Sequence, residues 1–532
     1  MCGPEHRQLS RRLQAWAAML GWLLTGGFAL AQAAPPEVVA AGETLVGTWE
    51  EGGQVMAFKG IPFAAPPVGE RRWMPPAPHR PRSGRVDAGQ FAPACMQDTY
   101  NIDWYRRVGT AFGAEPWLFV QPRVSEDCLY LNVWTTTLKP DQKLPVMVWI
   151  YGGSNRSGWS FEPNYHGARL ARRGVVVVTI AYRVGVMGFF AHPEMGEDAP
   201  INYGLRDQIA ALQWVRESIA EFGGDPGNVT VFGESAGASN IGYLVNSPQA
   251  APLFQRAISQ SGGFQLQYDL QRVDAVRIGS LLEAAVGRSG LKALREVPAD
   301  VLFESASSAL PEGPWRPVAD EVTVVASPSE AYRSRGIPHD LLIGSNADEQ
   351  YMYLPAGADE LVKSLDNFPS TARELLGEWV AAEGGSRQSY DRAITLAEVV
   401  CPGYLMASSA VAAGRRAFVY RFDRRRPGPG GEALRAYHGA EIPYVFGTHD
   451  PWLPVSKVDV DLTETMMSFW VRFASHGDPN RKGLPSWPAF SETEPQVMIL
   501  DEESRAAPAD QVTECALLAP RLYPAWLGAA QP

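Results

Sequence analysis

The amino-acid sequence predicts an α/β fold with a large, mostly parallel central sheet flanked by helices. Short β-branched runs such as LPVMVWI at 144–150 and GVVVVTIAY at 174–182 are nearly continuously apolar, as expected for strands buried on both faces. Between such runs lie amphipathic helical patterns, the clearest at 205–221, where apolar residues recur every three or four positions. Strands that alternate with helices are typical of a doubly wound sheet, in which ligands bind beyond the carboxyl ends of the strands.

The composition is that of a large globular protein. The chain has 532 residues, 45% of them hydrophobic, which suffices for a large buried core and excludes a disordered or fibrous protein. Further strands are predicted at 228–232, 257–259, 341–343 and 417–422. The formal net charge of −11 argues against a protein that coats duplex nucleic acid, because such proteins need a basic face.

The first residues have the pattern of a signal peptide. Arginines at positions 7, 11 and 12 precede an apolar run at 13–30, and small residues follow it. We expect segment 1–31 to be removed, with cleavage after Ala31 or Ala33. A transmembrane anchor is the alternative, which the small residues at the cleavage site and the prolines beyond it disfavour. We find no other stretch long and apolar enough to span a bilayer, so we expect a soluble protein that is secreted or periplasmic.

Cysteine usage agrees with export. Cys2 is lost with the predicted signal peptide, and four cysteines remain, Cys95, Cys128, Cys401 and Cys515. An even number in an oxidising compartment predicts two disulfides, for which three pairings exist, the sequential one being the simplest. No CxxC spacing or nearby histidine pair indicates zinc, so we expect no metal.

The clearest chemical motif is GESAG at 233–237, a G-x-S-x-G pentapeptide between a predicted strand and a predicted helix. Small flanking residues allow the sharp strand-to-helix turn that exposes the hydroxyl of Ser235. The N-terminus of the following helix then lies below the serine, where free N–H groups favour a negative charge. This context predicts that Ser235 is a nucleophile.

A serine nucleophile needs a histidine base. His438 comes after the predicted strand at 417–422, in a loop expected at the carboxyl edge of the sheet. His449 lies in a polar turn and His476 precedes a glycine near a helix end, so both are better explained as surface or capping residues. We therefore predict that His438 is the base, with an ordinary loop histidine as the alternative.

An acid must orient the histidine. The predicted strand at 341–343 leads to Asp348 and Glu349, and spacing alone cannot separate them. Asp320 and Glu321 are more distant candidates. With either Asp348 or Glu349 as the acid, the three residues follow one another along the chain in the order serine, acid, histidine.

Acyl transfer also needs donors for a developing oxyanion. The predicted strand at 144–150 is followed by a loop of small residues, 151–155. Its backbone N–H groups, together with that of Ala236, are candidates to converge on the oxyanion, each contributing about 2.7–4 kcal/mol to transition-state stabilisation. Alone, this loop would be read as an ordinary turn.

Several long motifs share one family pattern. They are FKGIPFAAPPVGERRW from Phe58, SEDCLYLNVW from Ser125, WIYGGSNRSG from Trp149, FGGDPGNVTVFGESAGA from Phe222, AISQSG from Ala257 and YHGAEIPYVFG from Tyr437. Together they resemble the type-B carboxylesterases and cholinesterase-like proteins of the α/β-hydrolase superfamily, and the resemblance covers nearly the whole chain after the signal peptide. It implies an α/β-hydrolase fold with one catalytic domain at 35–528.

The resemblance also implies residue roles. The family motif has a glutamate at the position of Glu349, which selects that residue over Asp348 as the acid. The family pattern assigns the oxyanion donors to Gly153, Ser154 and Ala236.

The same resemblance favours the sequential disulfides, Cys95 with Cys128 and Cys401 with Cys515. It further implies that Ser261 supports the acid–histidine pair through its hydroxyl, although a structural turn serine is the alternative.

The oxyanion loop departs from the family pattern. Ser154 replaces the usual third glycine, and Asn155 and Arg156 replace aromatic residues. An arginine here can bind a carboxylate bidentately, so we predict a preference for esters with free carboxylates, similar to bacterial fumonisin-type carboxylesterases that remove tricarballylate. The alternative is that Arg156 forms a structural or solvated ion pair.

These inferences predict an exported serine carboxylesterase that acts on small-molecule esters through Ser235, His438 and Glu349. No cofactor is expected. A non-catalytic adhesion or scaffold protein on the same fold is the alternative from another class, and such proteins typically lack the nucleophile. Lipase, amidase and carbamate hydrolase activities use the same machinery and stay open.

Overall fold

The computed structural model describes residues 34–267, 271–310, 313 and 315–523. The predicted signal peptide and the end of the predicted domain at 35–528 lie outside these residues. A compact unit begins at Glu37. Its strands are, in chain order, β1 (Glu37–Ala40), β2 (Glu43–Val46), β3 (Thr48–Glu50), β4 (Val55–Pro62), β5 (Arg85–Asp87), β6 (Ala94–Cys95), β7 (Val124–Ser125), β8 (Tyr130–Thr135), β9 (Leu144–Ile150), β10 (Val176–Ile180), β11 (Gly224–Glu234), β12 (Arg256–Gln260), β13 (Asp340–Asn346), β14 (Ala417–Phe422), β15 (Gln496–Leu500) and β16 (Arg505–Pro508).

One large mixed sheet contains most of these strands. Its order is β16-β15-β14-β13-β12-β11-β9-β10-β8-β4-β3. The strands from β15 to β10 are parallel, whereas β16 at one edge and β8, β4 and β3 at the other are antiparallel. The predicted α/β fold with a mostly parallel central sheet is therefore confirmed.

Helices pack on the sheet. Those of eight or more residues in the described part of the chain are Tyr100–Ala111, Tyr203–Ser218, Ala236–Leu244, Arg272–Val286, Ala299–Ala309, Pro328–Arg335, Ser370–Ala382, Arg387–Thr395, Cys401–Ala412, Lys457–His476 and Val512–Leu522. Shorter ones are Ala168–Ala171, Gly185–Gly188, Leu291–Arg295, Ala358–Lys363, Pro429–Leu434 and Ile442–Phe446.

The central strands are buried beneath the helices that flank the sheet. Every residue of β10 is buried, which explains its uninterrupted apolar sequence. The helix predicted at 205–221 is Tyr203–Ser218, and a 3-10 turn at Ile219–Phe222 extends it. The apolar residues of its predicted stripe, such as Leu212 and Val215, are fully buried.

Parallel strands bring the chemical motifs to one edge of the sheet. Strands β9, β11, β13 and β14 are parallel members of the sheet, so their carboxyl ends lie on the same side. The loop at 151–155, Ser235, Glu349 and His438 all come after these ends.

One described segment qualifies as a membrane span by length and hydropathy, contrary to our expectation that none does outside the N-terminus. It is Arg387–Ala412, in which a π-helical turn at Leu396–Val400 joins two α-helices. However, 78% of its most apolar window is buried inside the protein. A core helix is apolar on all sides, which accounts for the hydropathy of this segment.

Two disulfides bridge distant segments. Cys95 is bonded to Cys128, 33 residues away, and Cys401 to Cys515, 114 residues away. The second bridge attaches the C-terminal helix Val512–Leu522 to the segment Arg387–Ala412.

Candidate active site

Ser235 lies at the turn between β11 and the helix Ala236–Leu244. Its backbone has φ 55° and ψ −123°, a conformation that a residue other than glycine adopts only when its surroundings hold it. The N–H of Ser235 donates a hydrogen bond of 2.9 Å to the carbonyl of Gln260, at the end of the neighbouring strand β12. This contact holds the serine at a sharp strand-to-helix bend.

Gly233 and Gly237 permit the bend because they lack side chains. A Cβ on Gly233 would lie 2.6 Å from the carbonyl oxygen of Ile150, and a Cβ on Gly237 would lie 2.1 Å from the same oxygen. The start of the helix therefore packs directly on the end of β9. This packing brings Ser235 close to the loop that follows β9, since a Cβ on Gly152 would lie 3.0 Å from Cβ of Ser235.

Glu349 and His438 are joined by a short hydrogen bond. Nδ1 of the histidine lies 2.6 Å from Oε2 of the glutamate. Glu349 is fully buried, and its Oε1 accepts a hydrogen bond of 2.7 Å from the backbone N–H of Asn346. Both carboxylate oxygens are thus engaged, so the imidazole is held in one orientation with Nε2 facing away from Glu349.

Glu234 is a second acid at the histidine. Its Oε1 lies 3.1 Å from Nε2 of His438, and its side chain is buried. Burial lowers the pKa of His438, but the negative charges of Glu234 and Glu349 outweigh this effect and raise the pKa above its ordinary value. Burial also raises the pKa of Glu234. The proton affinity of the histidine therefore depends on both carboxylates.

The loop after β9 turns tightly beside Ser235. Gly153 has φ 96° and Ser154 has φ 58°. The N–H of Ser157 donates to the carbonyl of Gly153 at 3.1 Å, which closes the turn, and a Cβ on Gly153 would lie 2.2 Å from the carbonyl oxygen of Ser157. Ala236 begins a helix, so its N–H has no acceptor within that helix.

A cavity of about 310 Å³ contains Ser235 and His438. Gly153, Ser154 and Ala236 also line it. Aromatic side chains form part of its wall, namely Tyr100, Trp104, Tyr105, Tyr165, Tyr243, Phe264, Trp315 and Tyr353. Many of the other lining residues are polar or charged, among them Asn101, Asn155, Glu162, Asn164, Asn240, Gln265, Gln267, Arg316, Gln350 and Glu398.

The structure does not place the side chains of Asn155 and Arg156 as a substrate-binding pair. Arg156 forms an ion pair with Asp98 and lies 5.4 Å from the ring of Tyr100, which matches the structural alternative for this residue. Asn155 lines the cavity, but its amide group exchanges two hydrogen bonds, of 3.2 and 2.8 Å, with the amide of Asn240. This reciprocal pair connects the loop after β9 to the helix that follows Ser235.

Among the described residues, no hydrogen bond joins the hydroxyl of Ser261 to Glu349. Its Oγ is buried and has no hydrogen-bond partner among the described residues. The second oxygen of Glu349 is bound by the backbone of Asn346 instead. Ser261 donates its N–H to the carbonyl of Gly344 at 2.8 Å with a positive φ of 50°, which fits the alternative of a structural turn residue.

Two further acids and one arginine at the cavity escaped the sequence analysis. Burial raises the pKa of Glu162 to about 7 and that of Glu398 to about 7. Glu398 lies on the π-helical turn Leu396–Val400, and the positive charge of Arg316 opposes the rise in its pKa. Among the acids at the cavity other than Glu349, only Glu234 could have been noticed from the sequence, because it directly precedes Ser235.

Comparison with known proteins gives a consistent result. The model of the carboxylesterase family matches residues 40–518. The chain is 36% identical to the fumonisin B1 esterase of Sphingopyxis macrogoltabida, over 90% of this chain and 88% of the relative. It is 35% identical to the para-nitrobenzyl esterase of Bacillus subtilis, over 86% and 93% of the two chains, and 33% identical to a mouse cholinesterase, over 85% and 80%.

Solved structures agree. A para-nitrobenzyl esterase superposes with a TM-score of 0.78 at 31% sequence identity, covering 91% of this chain and 99% of the other. A carboxylesterase from Geobacillus stearothermophilus gives a TM-score of 0.77 at 32% identity, with the same coverage of 91% and 99%. The chain belongs to the carboxylesterase family and has the α/β-hydrolase fold. It is a carboxylic ester hydrolase.

Proposed function

We propose that the protein is an exported serine carboxylesterase in which Ser235 is the nucleophile, His438 the general base and Glu349 the acid that orients it. The observation that carries the proposal is the 2.6 Å hydrogen bond between Glu349 and His438, beside a cavity that Ser235 and His438 both line. The positive-φ turn at Ser235 adds support, because such strain persists where the fold needs an exposed nucleophile.

In the proposed reaction, His438 Nε2 takes the proton of the Ser235 hydroxyl as Oγ attacks the ester carbonyl. The tetrahedral intermediate collapses, and the histidine returns the proton to the leaving alkoxide, which departs as the alcohol. Water then attacks the acyl-enzyme with His438 as base, and the free acid leaves. Glu349 holds the imidazole and stabilises its charged form throughout.

The oxyanion of each intermediate is assigned to three backbone N–H groups, those of Gly153, Ser154 and Ala236. All three residues line the cavity next to Ser235. Ser154 supplies only its backbone in this role, so the departure from a third glycine is compatible with activity.

Hydrolysis of p-nitrophenyl acetate tests the proposal. Ser235→Ala is expected to remove turnover and labelling by a fluorophosphonate probe, and peptide mapping is expected to find the probe on Ser235. Ser239→Ala is the matched control, because Ser239 lines the same cavity one helical turn later, and it should keep turnover. Full turnover in Ser235→Ala, or labelling of another residue by the probe, would contradict the assignment of Ser235 as the nucleophile.

A panel of substrates with different scissile bonds tests which class of substrate the enzyme prefers. We expect short soluble carboxylic esters to be cleaved faster than emulsified triglycerides, anilides or carbamates of matched leaving group. A preference for triglycerides, anilides or carbamates would replace the carboxylesterase assignment by lipase, amidase or carbamate hydrolase.

We further propose a preference for esters with a free carboxylate, as suggested by the similarity to fumonisin B1 esterase. The cation assigned to this role is Arg316, because it lines the cavity, whereas Arg156 is not among the described lining residues and pairs with Asp98. A guanidinium in a partly buried site binds a carboxylate through charge-assisted hydrogen bonds.

Two p-nitrophenyl esters of equal length, the anionic hemisuccinate and the neutral levulinate, distinguish the effect of substrate charge on the rate from the effect of substrate shape. Arg316→Gln is expected to lower kcat/KM for the hemisuccinate about 10-fold to 100-fold and that for the levulinate much less. Arg156→Gln is the control and should affect both esters equally. Equal losses on both esters in Arg316→Gln would end the proposal.

Export is proposed on the two disulfides, which are compatible with an oxidising compartment, and on the N-terminal sequence pattern. N-terminal sequencing of the protein recovered from the periplasm or medium should find a chain that begins after Ala31 or Ala33, carrying the catalytic domain at 35–528. A full-length chain retained in the membrane fraction would favour the anchor.

A further inference from the structure

Asp348, the acid that the sequence could not separate from Glu349, connects the two loops that carry Glu349 and His438. Its side chain is buried, and its carboxylate accepts hydrogen bonds from Nε of Arg435 and, at 3.1 Å, from the backbone N–H of Ala436. In return, the N–H of Asp348 donates to the carbonyl of Ala436 at 3.1 Å. The residue before Glu349 is thus bound to the residues two and three positions before His438.

Arg435 is held in an unusual conformation by these contacts. It has φ 64° and ψ −141°, a backbone conformation that residues other than glycine rarely adopt. Its guanidinium lies 5.1 Å from the ring of Tyr351, on the same loop as Asp348. The bend at Arg435 is where the chain leaves the helix Pro429–Leu434 and turns toward His438.

The other flank of Glu349 is fixed as well. The N–H of Gln350 donates a hydrogen bond of 2.9 Å to Asp391. Charged groups near the Asp348 carboxylate are Arg435, Arg425 at 3.2 Å and the buried Asp391. Burial and, after it, the negative charge of Asp348 raise the pKa of Asp391 to about 7. Glu349 lies between two anchored neighbours.

We propose that Asp348 and Arg435 are positioning residues, which set the Glu349–His438 hydrogen bond by binding the acid loop to the histidine loop. Neither residue lines the cavity that contains Ser235 in the described part of the chain, so they act through the acid–histidine pair and not on substrate. This inference rests on the proposed function. It assigns separate roles to the adjacent acids, since Glu349 binds the imidazole and Asp348 places both loops.

The test compares Asp348→Asn and Arg435→Gln with Arg421→Gln. The control breaks another arginine–aspartate ion pair, in which Arg421 binds Asp423 through two contacts of 2.6 Å at the end of β14. Asp348 and Arg435 together are called the clamp. Each of the two clamp variants, Asp348→Asn and Arg435→Gln, is expected to lower kcat by 10-fold to 100-fold with KM within about twofold, because a misplaced base slows the reaction without weakening binding. The double variant should lose no more than the worse single variant, since the two residues act as a unit. Arg421→Gln should keep kcat.

Two further readouts separate positioning from a structural role. A weaker contact with Glu349 lowers the pKa of His438, so the acidic limb of the kcat/KM profile should move to lower pH, whereas partial unfolding would scale activity at every pH. The downfield proton resonance of the Glu349–His438 hydrogen bond should disappear in the clamp variants and persist in Arg421→Gln. A clamp variant with wild-type kcat, pH profile and resonance, even if less heat-stable, overturns the inference. The resonance reports on the clamp whether or not the protein turns over, whereas Ser235→Ala reports on the proposed function.

Discussion

Glu234 and His438 face each other across 3.1 Å, from Oε1 of the acid to Nε2 of the imidazole. This nitrogen is the one that must accept the proton of Ser235 in the proposed reaction. The ring is thus held between two carboxylates, with Glu349 at Nδ1, and the charge of Glu234, the residue directly before Ser235, contributes to raising the pKa of His438.

The first prediction concerns the pH dependence of kcat/KM. Because the carboxylates raise the pKa of His438, we expect this histidine to stay charged at pH values where a free histidine is neutral, and activity to keep rising above pH 7. Glu234→Gln removes one raising charge, so the acidic limb should move to lower pH by roughly one unit or more. The measurement is a pH profile of p-nitrophenyl acetate hydrolysis for both proteins. An unmoved limb would show that Glu234 does not influence the histidine.

The second prediction concerns the oxyanion loop. Gly153→Ala should lower kcat by about 10²–10³, because its Cβ would lie 2.2 Å from the carbonyl oxygen of Ser157 and would displace the donor N–H groups. Ser154→Gly is the matched control on the next residue. It keeps the N–H and suits the positive φ of 58°, so its kcat should stay within about threefold of wild type. Steady-state kinetics with circular dichroism as a folding control decides, and equal losses in the two variants would contradict the assignment.

The third prediction concerns the reciprocal amide pair of Asn155 and Asn240. Both side chains are buried, so Asn155→Leu should lower the free energy of unfolding by roughly 1–3 kcal/mol by leaving the amide of Asn240 unpaired. Asn240→Leu should behave in the same way. The double variant should lose less than the sum, because both polar partners are then absent. Urea denaturation of the four proteins measures the coupling, and strict additivity would mean that the pair contributes no shared stability.

The sequence predicted the centre of the fold well and its edges poorly. Strands β9 and β14 coincide with the apolar runs at 144–150 and 417–422, because buried parallel strands need continuous apolar side chains. Strand β13 extends to Asn346, beyond the predicted 341–343, since its polar end is defined by backbone pairing with β14 and not by side chains. Edge strands such as β16, with no buried residue, have no apolar pattern to find.

The site shows the same division. Ser235 and His438 were selected by local motif and loop position, and the structure places both at one cavity. The contributions of Glu234 and Glu398 could not be derived, because they depend on which buried space a side chain enters. Arg156 shows the limit of sequence reasoning. Its position directly after the oxyanion loop suggested a contact with substrate, and only the fold brings Asp98 close enough to pair with it.

The last prediction concerns the bridge between Cys401 and Cys515. It closes a loop of 114 residues, and its removal by the double substitution Cys401→Ala/Cys515→Ala should lower the free energy of unfolding by about 3–5 kcal/mol, through a less constrained unfolded chain. Urea denaturation under oxidising conditions measures this loss. The matched control is Cys95→Ala/Cys128→Ala, whose loop of 33 residues should give a smaller loss.

A functional consequence accompanies the stability change. The bridge holds the C-terminal helix against the segment that carries Glu398 into the cavity wall. We therefore expect KM to rise in the Cys401→Ala/Cys515→Ala variant well below its unfolding midpoint, while kcat changes little because Ser235, His438 and Glu349 lie on other elements. A fall in kcat at constant KM would show instead that the bridge acts on the acid–histidine loops, and wild-type values of both constants would show that the cavity wall does not depend on it.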